Sequence, residues 1–160
     1  MDVHEFATVF ADGAIKARLD WSVVRERCTV SESFSRSAEV LGNLFTVWYI
    51  GPDGGNRSYL DPDARPLRVR DHRDARSSWP AHRAQKIDDL TTQFKAADQP
   101  VQLVLPAYAL PGNEMVLLDG NHRAVAAYLT DVPVRTMVFA LHDGPVDEAV
   151  LPDLRHHLSP

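Results

Sequence analysis

The sequence holds one cysteine, Cys28, in 160 residues, which excludes an internal disulfide and a thiolate metal cage. The role left for Cys28 is that of a small buried apolar side chain. Long apolar runs are missing too. None approaches the roughly 20 residues that span a bilayer, and the start, MDVHEFATVF, carries acids where a secretory signal carries a basic region. Both absences lead to the expectation of a cytoplasmic protein without a membrane partner. Positive charge is scarce as well: 17 Lys and Arg face 22 Asp and Glu, a formal net charge of -5. A domain that works by gripping phosphate backbones needs a basic face, so a small molecule is the expected partner and nucleic acid ranks behind it. Most of the basic residues are Arg, which suits bidentate contacts to carboxylate or phosphate and is also what a GC-rich genome produces.

What is present is an ordinary globular composition, 44% hydrophobic and 24% charged, in a chain long enough for one core. We read 1–160 as a single domain of α/β class, an α+β arrangement with a mixed sheet. Phe6, Val9, Phe10, Gly13, Ala14 and Ala17 recur at helical spacing, and Asp20 caps a second short helix through Arg27. LFTVWYIGPDGGNRSYL reads as a strand over 44–50, a tight turn and a short return, with Trp48 and Tyr49 on opposite faces. The segment 61–78, DPDARPLRVRDHRDARSS, reads as a charged surface loop with one short strand at 67–69. A helix capped by Ser78 follows, with Pro80 in its first turn and a stripe of Ala84, Ile87, Leu90, Phe94 and Ala97. Then come a strand in QPVQLVLPAYAL, a Pro111-Gly112-Asn113 turn, an antiparallel partner MVLL, a helix over 121–129 and a last strand in VPVRTMVFAL. A tail helix starts at Asp147, limited by Pro152. Glu5, Glu32 and Glu114 read as surface carboxylates, and His156 and His157 as solvent-exposed.

The stretch VLLDGNHRAVAAYL carries the chemistry. A glycine after a strand permits a sharp turn, and the first amides of the next helix then point outward as an anion site. Arg123 adds a fixed positive charge, His122 a titratable donor, and Asp119 at the strand end an orienting group or a cation ligand. The bland alternative has Asp119 capping the helix and Arg123 pairing with it one turn on.

An amphipathic helix, Gln99-Pro100-Val101 opening a strand, Asp119-Gly120-Asn121-His122-Arg123, an Ala-rich helix and a final strand together resemble the core of the ParB/sulfiredoxin-like superfamily, the ParB-like nuclease-type domain. The likeness covers about 67–141. Residues 1–60 then form an N-terminal extension with a hairpin, serving as lid, homodimer surface or further core, and 142–160 a C-terminal tail. The resemblance implies that Gly120, Asn121, His122 and Arg123 cradle phosphate, that Asp119 assists with metal or acid-base work, and that His72 and Arg73 form a second wall. Sulfiredoxins place a cysteine where Asn121 stands, which argues against sulfinic acid reduction. Partition proteins continue into a helix-turn-helix domain, and only about twenty residues follow the last strand here, which argues against DNA segregation. Free-standing members with an Asp-Gly-His-His-Arg turn look like small-molecule kinases.

The resulting expectation is a small-molecule enzyme with catalytic Asp119, His122 and Arg123. It carries out nucleotide-dependent phosphoryl transfer from ATP, ADP or CTP, with Mg²⁺ on Asp119 and the phosphates. The first alternative is a cofactor-free acid-base biosynthetic enzyme in which His122 or a carboxylate moves protons beside Trp48, Tyr49 and Trp79. The second is a noncatalytic ligand-binding module on the same fold.

Overall fold

The computed structural model describes residues 1–10 and 18–158. The helix expected from Phe6 onward is α1 (Val3–Val9), started by Asp2, whose carboxylate accepts the Glu5 amide while Glu5 answers the Asp2 amide. Its expected continuation through Gly13, Ala14 and Ala17 lies outside the described residues. Asp20 caps α2 (Trp21–Arg27) by accepting the amides of Ser22 and Val23, the role its short acceptor side chain suits.

Seven strands form one mixed sheet, which is why the α+β reading holds. β1 (Thr29–Ser35) lies at one edge beside β7 (Val134–His142), followed by β5 (Val101–Leu110), β6 (Glu114–Leu117), β2 (Phe45–Ile50) and β3 (Asn56–Arg57), with β4 (Arg65–Arg68) also on β2. β5 and β6 form the expected antiparallel hairpin around Pro111-Gly112-Asn113, where Gly112 takes φ +75°. β2 and β3 form the other, and β5 runs parallel to β7. In β5 and β7, Val101, Leu103, Leu105, Val134 and Val138 are buried, whereas Gln102, Val104 and Arg135 are exposed, the period-2 pattern of a half-covered sheet.

Three further helices cover one face: α3 (Ala38–Asn43), α4 (Ala81–Ala96) and α5 (Asn121–Leu129). Ala124, Val125, Ala126 and Ala127 of α5 are buried against Leu103, Leu105, Val134 and Val138, and their small volume lets the helix sit close to the sheet. The other face carries a second core in which Phe6, Leu19 and Val24 meet Tyr108, Val116, Leu118 and Leu141, closed by Val150, Leu151 and Leu154 of the tail. The described part of 1–60 therefore supplies core and a layer of its own. Cys28 is buried there, as expected.

Three expectations change. Ser78 does not cap α4, whose N-cap is Pro80 without a side-chain cap, because a 3-10 turn at Arg76–Ser78 has Ser78 donating to the Ala75 carbonyl instead. The tail has a 3-10 turn at Pro152–His156 in place of a longer helix, and His156 and His157 are half-buried. Among the described residues no helix is long and apolar enough to cross a membrane.

Candidate functional site

The site expected from the sequence forms where β6 hands over to α5. Leu118 donates its amide to the Pro106 carbonyl at 2.8 Å, so the chain stays on the sheet until Asp119. Gly120 then turns it with φ +76° and acts as N-cap of α5 without a side-chain cap. A side chain at Gly120 would be strained twice over. Its Cβ would meet Leu105 Cδ2 at 2.6 Å and Arg123 Nη2 at 3.0 Å, in a backbone conformation that L-residues avoid. The near approach of Arg123 means that its guanidinium folds back over the turn.

Asp119 is exposed and accepts the Gly120 amide at 2.7 Å. It neither caps α5 nor pairs with Arg123, the arrangement that the bland alternative required. Arg123 is exposed with no hydrogen-bond or ion-pair partner among the described residues. Asn121 faces inward: it is buried, and its Oδ1 accepts the Val47 amide at 3.0 Å. Its side-chain oxygen ties α5 to β2 and is not free to meet a ligand.

His122 is half-buried and meets the Trp48 indole edge-on, with ring centroids 4.8 Å apart. Its pKa is pushed down to about 4, first by burial and then by the neighbouring Lys86, Arg83 and His82 side chains, against a smaller opposing pull from Asp119. His122 is therefore neutral at pH 7. Lys86, Arg83 and His82 all come from the first two turns of α4. The Arg83 guanidinium lies 4.3 Å over the Trp48 ring, donates to Asn56 Oδ1 at 3.2 Å, and has a buried Nη1 without a partner. Burial pulls its pKa down to about 10.

His82, Arg83 and Lys86 were not singled out from the sequence, although a signal exists. A helix N-terminus repels cations through its dipole, yet α4 opens Ala-His-Arg-Ala-Gln-Lys with no acid in its first turn. Such a start costs stability and calls for a reason elsewhere.

The second wall expected from His72 and Arg73 does not form. His72 is fully buried, accepts the Trp79 indole N–H at Nδ1 (3.0 Å), and is 3.0 Å from Thr46 Oγ1 at Nε2. Because Nδ1 accepts, the proton resides on Nε2 and goes to Thr46, whose hydroxyl passes its own to the Leu67 carbonyl. Burial, then Arg83, holds His72 down at about pKa 3. Its ring also packs T-shaped against Trp48, with centroids 5.2 Å apart. Arg73 lies at the far end of α5, over the Tyr128 ring and 3.4 Å from Asp131, in a separate cleft of about 350 Å³.

Of Trp48, Tyr49 and Trp79, the three aromatic residues expected at the site, Trp48 stands beside His122. Tyr49 faces the second core, where its hydroxyl donates to Asp153 at 2.5 Å, and Trp79 is engaged with His72. Among the described residues no group of three or more His, Cys, Asp or Glu side chains is placed to hold a metal ion. A cation here would have Asp119 as its protein ligand and take the rest from bound phosphate.

No protein-family model, curated protein or solved structure matches this chain.

Proposed function

We propose that the chain is a small-molecule enzyme that grips a phosphate-bearing ligand at the 119–123 turn, with nucleotide-dependent phosphoryl transfer as its reaction. The observation that carries this reading is the set of uncompensated donors. Arg123 has no partner, Arg83 Nη1 is buried and unpaired, Lys86 has no ion pair, and α5 begins without a side-chain cap. A protein of net charge -5 that leaves three cations without an ion pair around one helix start pays in repulsion for an anion that is to arrive there.

In this reading the first amides of α5 and Arg123 hold phosphate oxygens, Arg83 and Lys86 balance their charge, and Asp119 orients Mg²⁺. ATP, ADP or CTP would supply the phosphoryl group. Neutral His122 presents a lone pair to the proton of an acceptor hydroxyl. Rate enhancement would then come from positioning and charge stabilisation.

The test is calorimetric titration of ATP, ADP and CTP with Mg²⁺ into the wild type, Arg123→Ala and Asp119→Asn. Arg123→Ala should weaken binding by about 1.5–3 kcal/mol and leave the thermal midpoint nearly unchanged. Heat with none of the nucleotides sinks the nucleotide reading, and affinity that both variants leave intact removes the turn from the site.

The same geometry supports one other reading, acid-base catalysis without a cofactor. Its basis is the neutral His122 held edge-on against Trp48, with an anionic group of the substrate in place of the phosphates. Turnover that is indifferent to nucleotide but lost in His122→Gln favours it.

A further inference from the structure

β1 ends the sheet, with β7 on one side of it and no described strand on the other. Its register with β7 is unbroken from Thr29 against His142 to Ser35 against Thr136. In such a pair alternate residues aim their N–H and C=O groups away from the ladder. Among the described residues the β1 backbone from Val30 to Ser35 enters no backbone hydrogen bond except with β7. Edge strands are ordinarily guarded by proline, lysine or a bulge. Thr-Val-Ser-Glu-Ser-Phe-Ser holds no proline and no lysine, and its pairing holds no bulge.

What this edge shows to a neighbour is patterned. Glu32, Phe34 and Arg36 alternate with Ser33 and Ser35 and so share one face of the sheet. Phe34 is 54% exposed, and the Arg36 guanidinium lies 5.8 Å from the centroid of its ring. Arg36 has no ion-pair partner among the described residues. Glu32 meets the Met1 ammonium through Oε1 at 3.1 Å and still leaves half of its side chain exposed. Across the sheet Phe34 stands against Met137, and Met137 against Val104, which is also half exposed. An apolar row therefore runs from β5 to the edge.

We propose that two copies of this chain pair β1 to β1 about a twofold axis at Phe34, joining their sheets into one. A twofold contact is self-complementary: where one residue opposes another, the second opposes the first. With Phe34 against the partner's Phe34, Glu32 falls opposite the partner's Arg36 and Arg36 opposite the partner's Glu32. Directly opposed residues have Cβ atoms about 4.5–5.5 Å apart, within reach of an aromatic pair and of an ion pair. The charges choose this register. A ladder centred on Glu32 would oppose two carboxylates, and one centred on Ser33 would set Glu32 against Phe34. Pairing runs from Glu32 to Arg36 and stops at Ser37, which caps α3. The apolar row of each sheet continues through the axis into the other. The phosphate turn plays no part in this contact, since β7 and β5 separate β1 from β6.

Sedimentation velocity of the whole chain over a series of concentrations should show a monomer–dimer equilibrium. Arg36→Glu sets acid against acid at both ends of the ladder, Glu32→Arg sets base against base, and each should weaken dimerisation about tenfold or more. Glu32→Arg also loses the Met1 contact, which Arg36→Glu keeps. Both side chains are exposed, so each dilute variant should keep the circular dichroism of the wild type. Mixing the two variants brings unlike charges together again at both ends, so the mixture should dimerise more tightly than either variant alone. That rescue reads the register and not the stability of either chain. A wild type that stays monomeric up to millimolar concentration, a dimer that both charge changes leave intact, or a mixture no tighter than its components overturns the proposal.

Discussion

Asn121 Oδ1 accepts the Val47 amide hydrogen at 3.0 Å and so fastens the first residue of α5 to the neighbouring strand β2. The Asn121 side-chain oxygen is thus occupied with the fold. Asn121→Ala would strand a part-buried N–H, and should lower stability by about 1–3 kcal/mol. Asn121→Asp, which keeps the acceptor, should lose less. Chemical denaturation of the two variants beside Arg123→Ala ranks them, and Asn121→Ala should be the least stable.

His122 reports on the charge around it. Burial and then Lys86 hold it near pKa 4, so Lys86→Gln should raise its titration midpoint, with burial still keeping it below the usual 6.5. Lys86 is exposed, and the fold should be indifferent to the change. A bound anion favours the protonated ring, so inorganic phosphate should raise the midpoint of the wild type. An NMR titration that phosphate does not move would place the anion elsewhere.

His72 makes stability depend on pH. Its folded pKa, about 3, lies below its ordinary 6.5, so between those values the unfolded chain binds the proton and the folded chain does not. Stability is unaffected by this group above about pH 6.5 and falls as pH is lowered through the window, on the order of 1 kcal/mol per pH unit. His72→Gln, which removes the titrating group, should start less stable at pH 7 and lose less on going to pH 5. Parallel slopes for the two proteins would contradict the assignment.

The tail is clamped by charge. Asp153 is fully buried between Arg18 Nη2 at 2.6 Å and the Tyr49 hydroxyl at 2.5 Å. Asp153→Ala removes the ion pair of the part-exposed Arg18 together with the Tyr49 hydrogen bond and should cost about 2–3 kcal/mol, the loss of charged hydrogen bonds rather than the stranding of a fully buried charge. Tyr49→Phe keeps the ion pair and should cost about 1–2 kcal/mol, the loss of one charged hydrogen bond. Thermal midpoints of the two variants rank the ion pair against the hydrogen bond.

The sequence by itself determined the elements whose causes are local. Asp20 caps α2 because a short acceptor side chain reaches the next amides; β5 and β6 turn on Gly112; Gly120 turns the chain into α5 because its φ is positive. The 119–123 turn was legible for the same reason, since its residues are adjacent in the chain. Only the tertiary structure decided which distant groups share that turn. α4 brings Arg83 and Lys86 to His122 across some forty residues of sequence, Asn121 is drawn inward by an amide on β2, and His72 is withdrawn into a chain of donors from Trp79 through Thr46. A charged stretch such as RVRDHRDAR shows which residues are polar, but burial depends on what packs over each one. His72 lies under Trp48 and Trp79 while Arg73, one residue on, faces solvent, and no spacing along the chain separates those two outcomes.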